Sequence, residues 1–211
     1  MGTLDARTFW KQFKEKICDP NGVIPGSNIP YRKIYTKNKR YTKLINKQLV
    51  PEILKNLDNK IEITNEYYRF DVAGWKQLND PNEELEKQFN EANFNYHAWK
   101  LEVAFEHEND SCDWSDEVIK LLYANCPLKI VVGYNDSLKR DDDIYGDKYK
   151  LDLLAKVISN LKVDMMCEYL IIIGNGNKDG YINKVGEEYF GYRAYLYDND
   201  KNAFDNLDEI K

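Results

Sequence analysis

An α/β fold, with a mixed central β-sheet flanked by helices, is what this sequence predicts, on three observations. Helical periodicity fills residues 1–58, strand-like segments take over from Ile61, and helices alternate with apolar strands after Trp99. The chain has 211 residues, 43% hydrophobic and 13% aromatic, which suits one globular domain able to bury a core. Six prolines, eleven glycines and no low-complexity tract argue against extended disorder or a repeat architecture. No linker divides the chain. The expected organisation is a helical N-terminal region (1–58), an α/β core (60–198) and an acidic tail (199–211).

Asp5 to Ile17 predicts an amphipathic helix, with Phe9, Trp10, Phe13 and Ile17 at helical spacing. Asp19-Pro-Asn-Gly22 reads as a turn, and the stretch to Pro30 as a loop. Thr42 to Leu57 carries Leu44, Ile45, Leu49, Ile53, Leu54 and Leu57 on one helical face, with Pro51 expected to kink or divide it. Ile61 to Thr64 and Tyr67 to Val72 predict strands joined by a turn around Asn65. Asp80-Pro-Asn-Glu-Glu84 marks a helix start. Trp99 to Glu108 alternates most clearly: Leu101, Val103, Phe105 and His107 on one side, Glu102, Ala104, Glu106 and Glu108 on the other. Ser115 caps a helix through Tyr123, Leu128 to Gly133 reads as a buried strand, and Tyr149 to Leu161 as a helix. Cys167 to Gly174 and Tyr189 to Tyr197 close the chain as strands.

Several function classes fall away. The longest strongly apolar run, Tyr169 to Ile173, is far short of the ~20 residues that span a bilayer. Met1 to Ala6 lacks a signal-peptide apolar stretch, so a cytoplasmic location with no membrane partner is expected. Cys18, Cys112, Cys126 and Cys167 lie far apart with no CxxC, and read as reduced thiols. With only His97 and His107 present, carboxylates are the abundant catalytic groups. No Walker loop, GxSxG or dinucleotide fingerprint occurs. Asn175-Gly-Asn-Lys-Asp-Gly180 starts like a calcium loop, but its twelfth position is Gly186, so it reads as a hairpin connection. Asp141 to Asp143 reads as a solvated loop.

The net charge of −6 conceals an asymmetry. Residues 1–60 hold 13 Lys/Arg against 5 Asp/Glu, and the remainder is strongly acidic. Arg32, Lys33, Lys37, Lys39, Arg40, Lys43 and Lys47 follow one another without an acidic residue, with Tyr31, Tyr35 and Tyr41 interleaved. Such a segment neutralises phosphates, and its tyrosines can stack on bases or bond phosphate oxygens. Nucleic acid is therefore an expected partner, the alternative being a solvated basic surface beside an acidic domain.

Residues two apart on a strand project to one face, ~7 Å apart, so Glu106 and Glu108 stand side by side. Adjacent carboxylates repel unless a cation or a proton intervenes. Oxygen-only ligands favour Mg²⁺ or Mn²⁺ over zinc, and Asp71 is the obvious third carboxylate from a neighbouring strand.

These residues resemble the core of the PD-(D/E)xK, restriction-endonuclease-like, nuclease superfamily. The resemblance lies in Asp71 within Arg69-Phe-Asp-Val72, and in Glu106-His-Glu108 within Ala104-Phe-Glu-His-Glu-Asn109, followed by a helix and a buried strand. It covers roughly residues 60–175. It implies a restriction-endonuclease-like core in which Asp71 and Glu106 hold Mg²⁺ (or Mn²⁺) for hydrolysis of phosphodiesters, DNA in particular. Glu108 stands where the family usually has lysine, as in some restriction endonucleases, and serves as a further ligand or orients the water. Lys120, on the following helix, is the candidate for a migrated lysine, although packing or solvent is its expected environment. Arg32, Lys33, Lys37, Lys39, Arg40 and Lys43 would hold the nucleic-acid backbone, and a homodimer stays open. The alternative is a catalytically inactive module on the same fold, binding nucleic acid or a protein partner.

Overall fold

The computed structural model describes residues 4–17, 19, 22–24, 27–35, 38–67, 69–77, 83–93, 99–109, 113–136, 147–161, 167–176 and 191–208. Seven strands form one mixed sheet in the order β1-β2-β3-β4-β5-β6-β7. They are β1 (Glu62–Tyr67), β2 (Phe70–Gln77), β3 (Trp99–His107), β4 (Leu128–Asp136), β5 (Glu168–Gly176), β6 (Tyr192–Asp198) and β7 (Ala203–Asn206). β1 to β3 run antiparallel, β3 to β5 parallel, and β5 to β7 antiparallel. The expected α/β class with a mixed sheet and flanking helices is what the chain forms.

One face of the sheet is covered by α1 (Ala6–Ile17), α2 (Asn38–Leu44) and α3 (Val50–Leu57). Phe9, Phe13, Leu49, Ile53 and Leu54 pack there against Val103, Phe105, Ile130 and Ile172. α1 starts where Asp5 accepts hydrogen bonds from the Thr8 N–H and hydroxyl, each at 2.8 Å. The opposite face carries α5 (Trp114–Leu122) and α6 (Asp147–Asn160), whose Trp114, Val118, Leu121 and Leu154 bury Ala104, Val131, Ile171 and Ile173. Each helix joins two parallel strands, as a crossover must. Between β2 and β3 lies α4 (Glu83–Glu91), which buries no residue.

Several boundaries differ from expectation. The second helical segment is divided ahead of Pro51 rather than at it: α2 runs into a π-turn, Ile45–Leu49, and Pro51 then sits in the first turn of α3, with helical backbone at both junctions. The Val50 N–H reaches the Ile45 carbonyl across the widened turn, which relieves the crowding that the Pro51 ring would otherwise impose on the preceding turn. Asn65 lies within the β1–β2 ladder rather than at its turn, since pairing continues to Tyr67 with Phe70, and Arg69 takes φ 66°. α5 begins at Trp114 with Asp113 as its N-cap, not Ser115. A Cβ on Gly133 would lie 2.2 Å from Trp114 Cβ, so glycine there is what lets the indole seat on β4. The acidic segment after Asp198 is not simply a tail, because Ala203–Asn206 pairs with β6.

Cys126 and Cys167 are buried and unbridged. Cys18, Cys112, the Asp141 to Asp143 run and most of Asn175 to Gly180 lie outside the described residues. Among the described residues no helix is long and apolar enough to cross a membrane.

Candidate functional site

Asp71 and Glu106 meet across the β2–β3 ladder. Its register pairs Val72 with Phe105 and Ala73 with Ala104, and one further step sets Asp71 opposite Glu106. Residues opposite one another project to the same face with Cβ atoms about 4.5–5.5 Å apart. That face is the one covered by α5. Glu106 is 3% exposed and Asp71 half-buried.

Lys120 is the third member of this group. From α5, its Nζ lies 2.6 Å from Glu106 Oε1 and 2.8 Å from Glu117 Oε2. It faces neither packing layer nor open solvent, contrary to expectation, because the i, i+3 spacing from Glu117 turns both side chains towards β3. Despite that close approach, the angle leaves Glu106 Oε1 buried without a hydrogen-bond partner.

Burial drives the electrostatics. It pushes the Glu106 carboxyl up to about 8; Lys120 pulls the other way, and the charges of Glu117 and Asp71 add to the rise. Burial also raises Asp71, against hydrogen bonds from the His107 N–H and the Asn46 side chain and the charge of Lys120. Lys120 itself ends up raised, since Glu106 and Glu117 outweigh the effect of its burial. Two acids that resist ionisation beside one ammonium form a site short of positive charge.

Glu108 lies one residue past β3, half-buried, and its N–H donates to the Val132 carbonyl at 2.9 Å. Alternation carries it to the Glu106 face. Among the described residues, no group of three or more His, Cys, Asp and Glu side chains is arranged to hold a metal ion. The β2–β3 register makes Asp71 and Glu106 neighbours. Their all-oxygen donors, with one buried oxygen unsatisfied, suit a hard cation such as Mg²⁺ or Mn²⁺.

The basic segment adjoins this pair. A cavity of about 400 Å³ is lined by Lys39, Lys43 and Lys47 together with Asn46, Asp71 and Asn109. The three lysines lie four residues apart, at helical spacing along α2 and the π-turn, so they share one exposed stripe. Arg40 joins Lys43 and Lys47 around a neighbouring cavity of about 280 Å³. Lys33 is exposed on a 3₁₀ turn, Tyr31–Ile34. Lys37 and the side chain of Arg32 lie outside the described residues.

The tyrosines of this segment do not stack on anything external. Tyr31, Tyr35 and Tyr41 are all buried. Tyr35 donates to the Asn175 carbonyl, and the Tyr41 hydroxyl lies 2.7 Å from that of Tyr192. They come from the 3₁₀ turn, the residue after it and α2, and all three rings point into the core.

His107 projects to the face opposite Glu106, as expected, and is buried and hydrogen-bonded. Burial pushes its imidazole down to about 3. Asn46, Glu117 and Asn109 carried no signal in the sequence; their roles follow from the π-turn and from the angle of α5. No family model, curated protein or solved structure matches this chain.

Proposed function

We propose that the protein is a Mg²⁺-dependent nuclease that hydrolyses DNA phosphodiester bonds with metal-activated water, on a restriction-endonuclease-like core. The observation that carries this is the Asp71–Glu106 cross-strand pair beside a cavity lined by Lys39, Lys43 and Lys47. Acids that share a site with phosphate-binding cations have one obvious reconciliation, a divalent ion between carboxylates and phosphate. The succession of antiparallel β2 and β3, helix α5 and parallel β4 supports the resemblance of Asp71 and Glu106-His-Glu108 to that superfamily.

Asp71 and Glu106 would hold the ion, with Glu108 as a further ligand or the group that orients the water. A bound Mg²⁺ would lower the pKa of its water and offset charge developing on the phosphate. Lys120, next to Glu106, neutralises the acids before the ion arrives and stands ready to hold the attacking water or the phosphate. Lys39, Lys43 and Lys47 draw the backbone into the cavity and fix its position.

The test is cleavage of supercoiled plasmid with Mg²⁺ or Mn²⁺ by wild type, Asp71→Ala and Glu106→Ala. Loss of cleavage in both variants with DNA binding retained is expected. Equal rates in all three would refute the site assignment.

A second reading has a specific observation behind it. The Lys120 ammonium already sits at Glu106, so the pair can be neutral without a metal. The protein would then be an inactive module that binds nucleic acid through its lysines. Salt-sensitive DNA binding that is indifferent to Mg²⁺, with no product formed, identifies that case.

A further inference from the structure

Asn46, His107 and Asp71 close a ring of hydrogen bonds at the base of the lysine cavity. The His107 backbone N–H donates to Asp71 Oδ2 at 2.8 Å. His107 Nδ1 lies 3.1 Å from Asn46 Oδ1, and the Asn46 side chain hydrogen-bonds the Asp71 carboxyl. On its other side, His107 Nε2 is 2.7 Å from the Tyr134 hydroxyl. Tyr134 and Tyr192 follow at 3.3 Å, and Tyr192 and Tyr41 at 2.7 Å. Asn46, His107, Tyr134, Tyr192 and Tyr41 are all buried.

Phenols and neutral imidazoles can donate or accept, so most of these contacts have no direction taken singly. Asn46 removes that freedom: its Oδ1 faces His107 Nδ1, and an amide oxygen only accepts, while its amide nitrogen is left for the Asp71 carboxyl. Nδ1 then carries a proton. His107 is buried with both ring nitrogens against neutral groups, an amide oxygen and a phenol, where a second proton would bury an uncompensated charge. Nε2 is accordingly bare, and Tyr134 donates to it. With the Tyr134 proton committed, Tyr192 donates to Tyr134, and Tyr41 to Tyr192.

We infer that Asn46 and His107 are positioning residues for Asp71, the last links of a one-way hydrogen-bond chain running Tyr41, Tyr192, Tyr134, His107, Asn46, Asp71. Two members of the chain, Tyr41 and Asn46, belong to one helical segment. Tyr41 lies in α2 beside Lys39 and Lys43, and Asn46 in the π-turn beside Lys47. The turn adds one residue where Asn46 must face inward while its lysine neighbours face the cavity. A phosphodiester that moves this helix would thus move the donors that orient Asp71. Only that last consequence rests on the nuclease proposal; the direction of the chain does not.

Long-range ¹H–¹⁵N correlation spectra of the full chain, with His97→Gln for assignment, read the His107 tautomer directly. The Nδ1–H form alone is expected in wild type. Asp71→Asn should give a mixture of both tautomers, because an amide can donate as well as accept and no longer imposes a direction. Tyr134→Phe should keep the Nδ1–H form, since direction is set from the Asp71 end. The Nε2–H form in wild type, an unchanged tautomer in Asp71→Asn, or a switch in Tyr134→Phe would each overturn the inference. Neither metal nor substrate enters the measurement, so failure to cleave DNA and failure of the chain remain separate results. The wild-type spectrum decides even where a variant does not fold.

Discussion

One ammonium, that of Lys120, serves two carboxylates across the β3–α5 interface, Glu106 at 2.6 Å and Glu117 at 2.8 Å. Glu106 is almost wholly buried while about a third of the Lys120 side chain is exposed, so the pair straddles the boundary between core and surface. Removing one partner of a fully buried pair costs ~3–5 kcal/mol; with Lys120 partly solvated, ~1–2 kcal/mol is expected for Lys120→Met. Loss of a cation positioned at a phosphoryl site should also slow cleavage by about 100-fold or more. Urea unfolding and single-turnover cleavage check the two effects independently. Wild-type cleavage in Lys120→Met would remove Lys120 from the chemistry and leave it a structural counter-ion.

Stability should depend on pH through two buried groups that act in opposite directions. Glu106 titrates at about 8 when folded against 4.5 as a free side chain, so between those values the folded chain keeps a proton that the unfolded chain releases. Its contribution is complete below 4.5 and is lost as pH rises towards 8. His107 titrates at about 3 when folded against 6.5 unfolded, so its contribution is complete above 6.5 and is lost as pH falls towards 3. The two offset one another between 4.5 and 6.5, and Glu106 acts alone from 6.5 to 8. Free energies of unfolding from pH 5 to 8.5 should therefore show a plateau and then a decline of up to about 1.4 kcal/mol per pH unit. Glu106→Gln should abolish the decline and uncover a rise below pH 6.5. A decline that persists in Glu106→Gln belongs to some other group.

The lysine stripe predicts a salt dependence. Replacing Lys39, Lys43 and Lys47 together by alanine should lower the slope of log affinity against log salt by about 3, as three phosphate contacts and their counter-ions are lost. Fluorescence anisotropy with a duplex oligonucleotide between 50 and 200 mM salt (roughly the range over which such slopes are read) measures it. An unchanged slope would remove nucleic acid from this cavity. All three side chains are exposed, so stability should hardly change.

Gly133→Ala is the sharpest test of how α5 is seated. The new methyl would fall 2.2 Å from Trp114 Cβ and 2.6 Å from its Cγ, and the backbone-proximal end of an indole cannot swing away. A loss of ~1–3 kcal/mol is expected from overpacking. Because Lys120 rides on the same helix, the Glu106 pairing should loosen with it. Wild-type unfolding free energy in Gly133→Ala would mean that α5 sits further from β4 than the geometry gives.

Much of this was legible in the residues. Alternation along Trp99 to Glu108 identified β3 and set His107 opposite Glu106, because side-chain direction in a strand follows from its two-residue period. The carboxylate pair was also within reach, since Asp71 ends one strand-like segment and Glu106 lies in another. Register was not legible. Only the β2–β3 ladder sets Asp71 opposite Glu106, and alternation along two strands fits more than one register between them. The π-turn was equally hidden: Pro51 signalled disturbance, but its relief lies in the preceding turn, in residues of ordinary helical character. The tyrosines misled because an amphipathic ring interleaved with lysines suits a binding surface and a core alike. Lys120 misled because helical periodicity does not say which strand residue the flank of α5 meets.

The strand order has a temporal consequence. Each strand pairs with its immediate neighbour in the sequence, so the sheet can grow strand by strand in the order in which a ribosome releases it. Asp71 and Glu106 become neighbours as soon as β3 docks on β2, whereas Lys120 arrives only with α5. In that interval two acids face each other without the ammonium, and the nascent β2–β3 hairpin is held apart by its own charges unless a proton or a divalent cation joins them. The order of synthesis thus presents the acid pair to a cation before the protein's own ammonium can reach it.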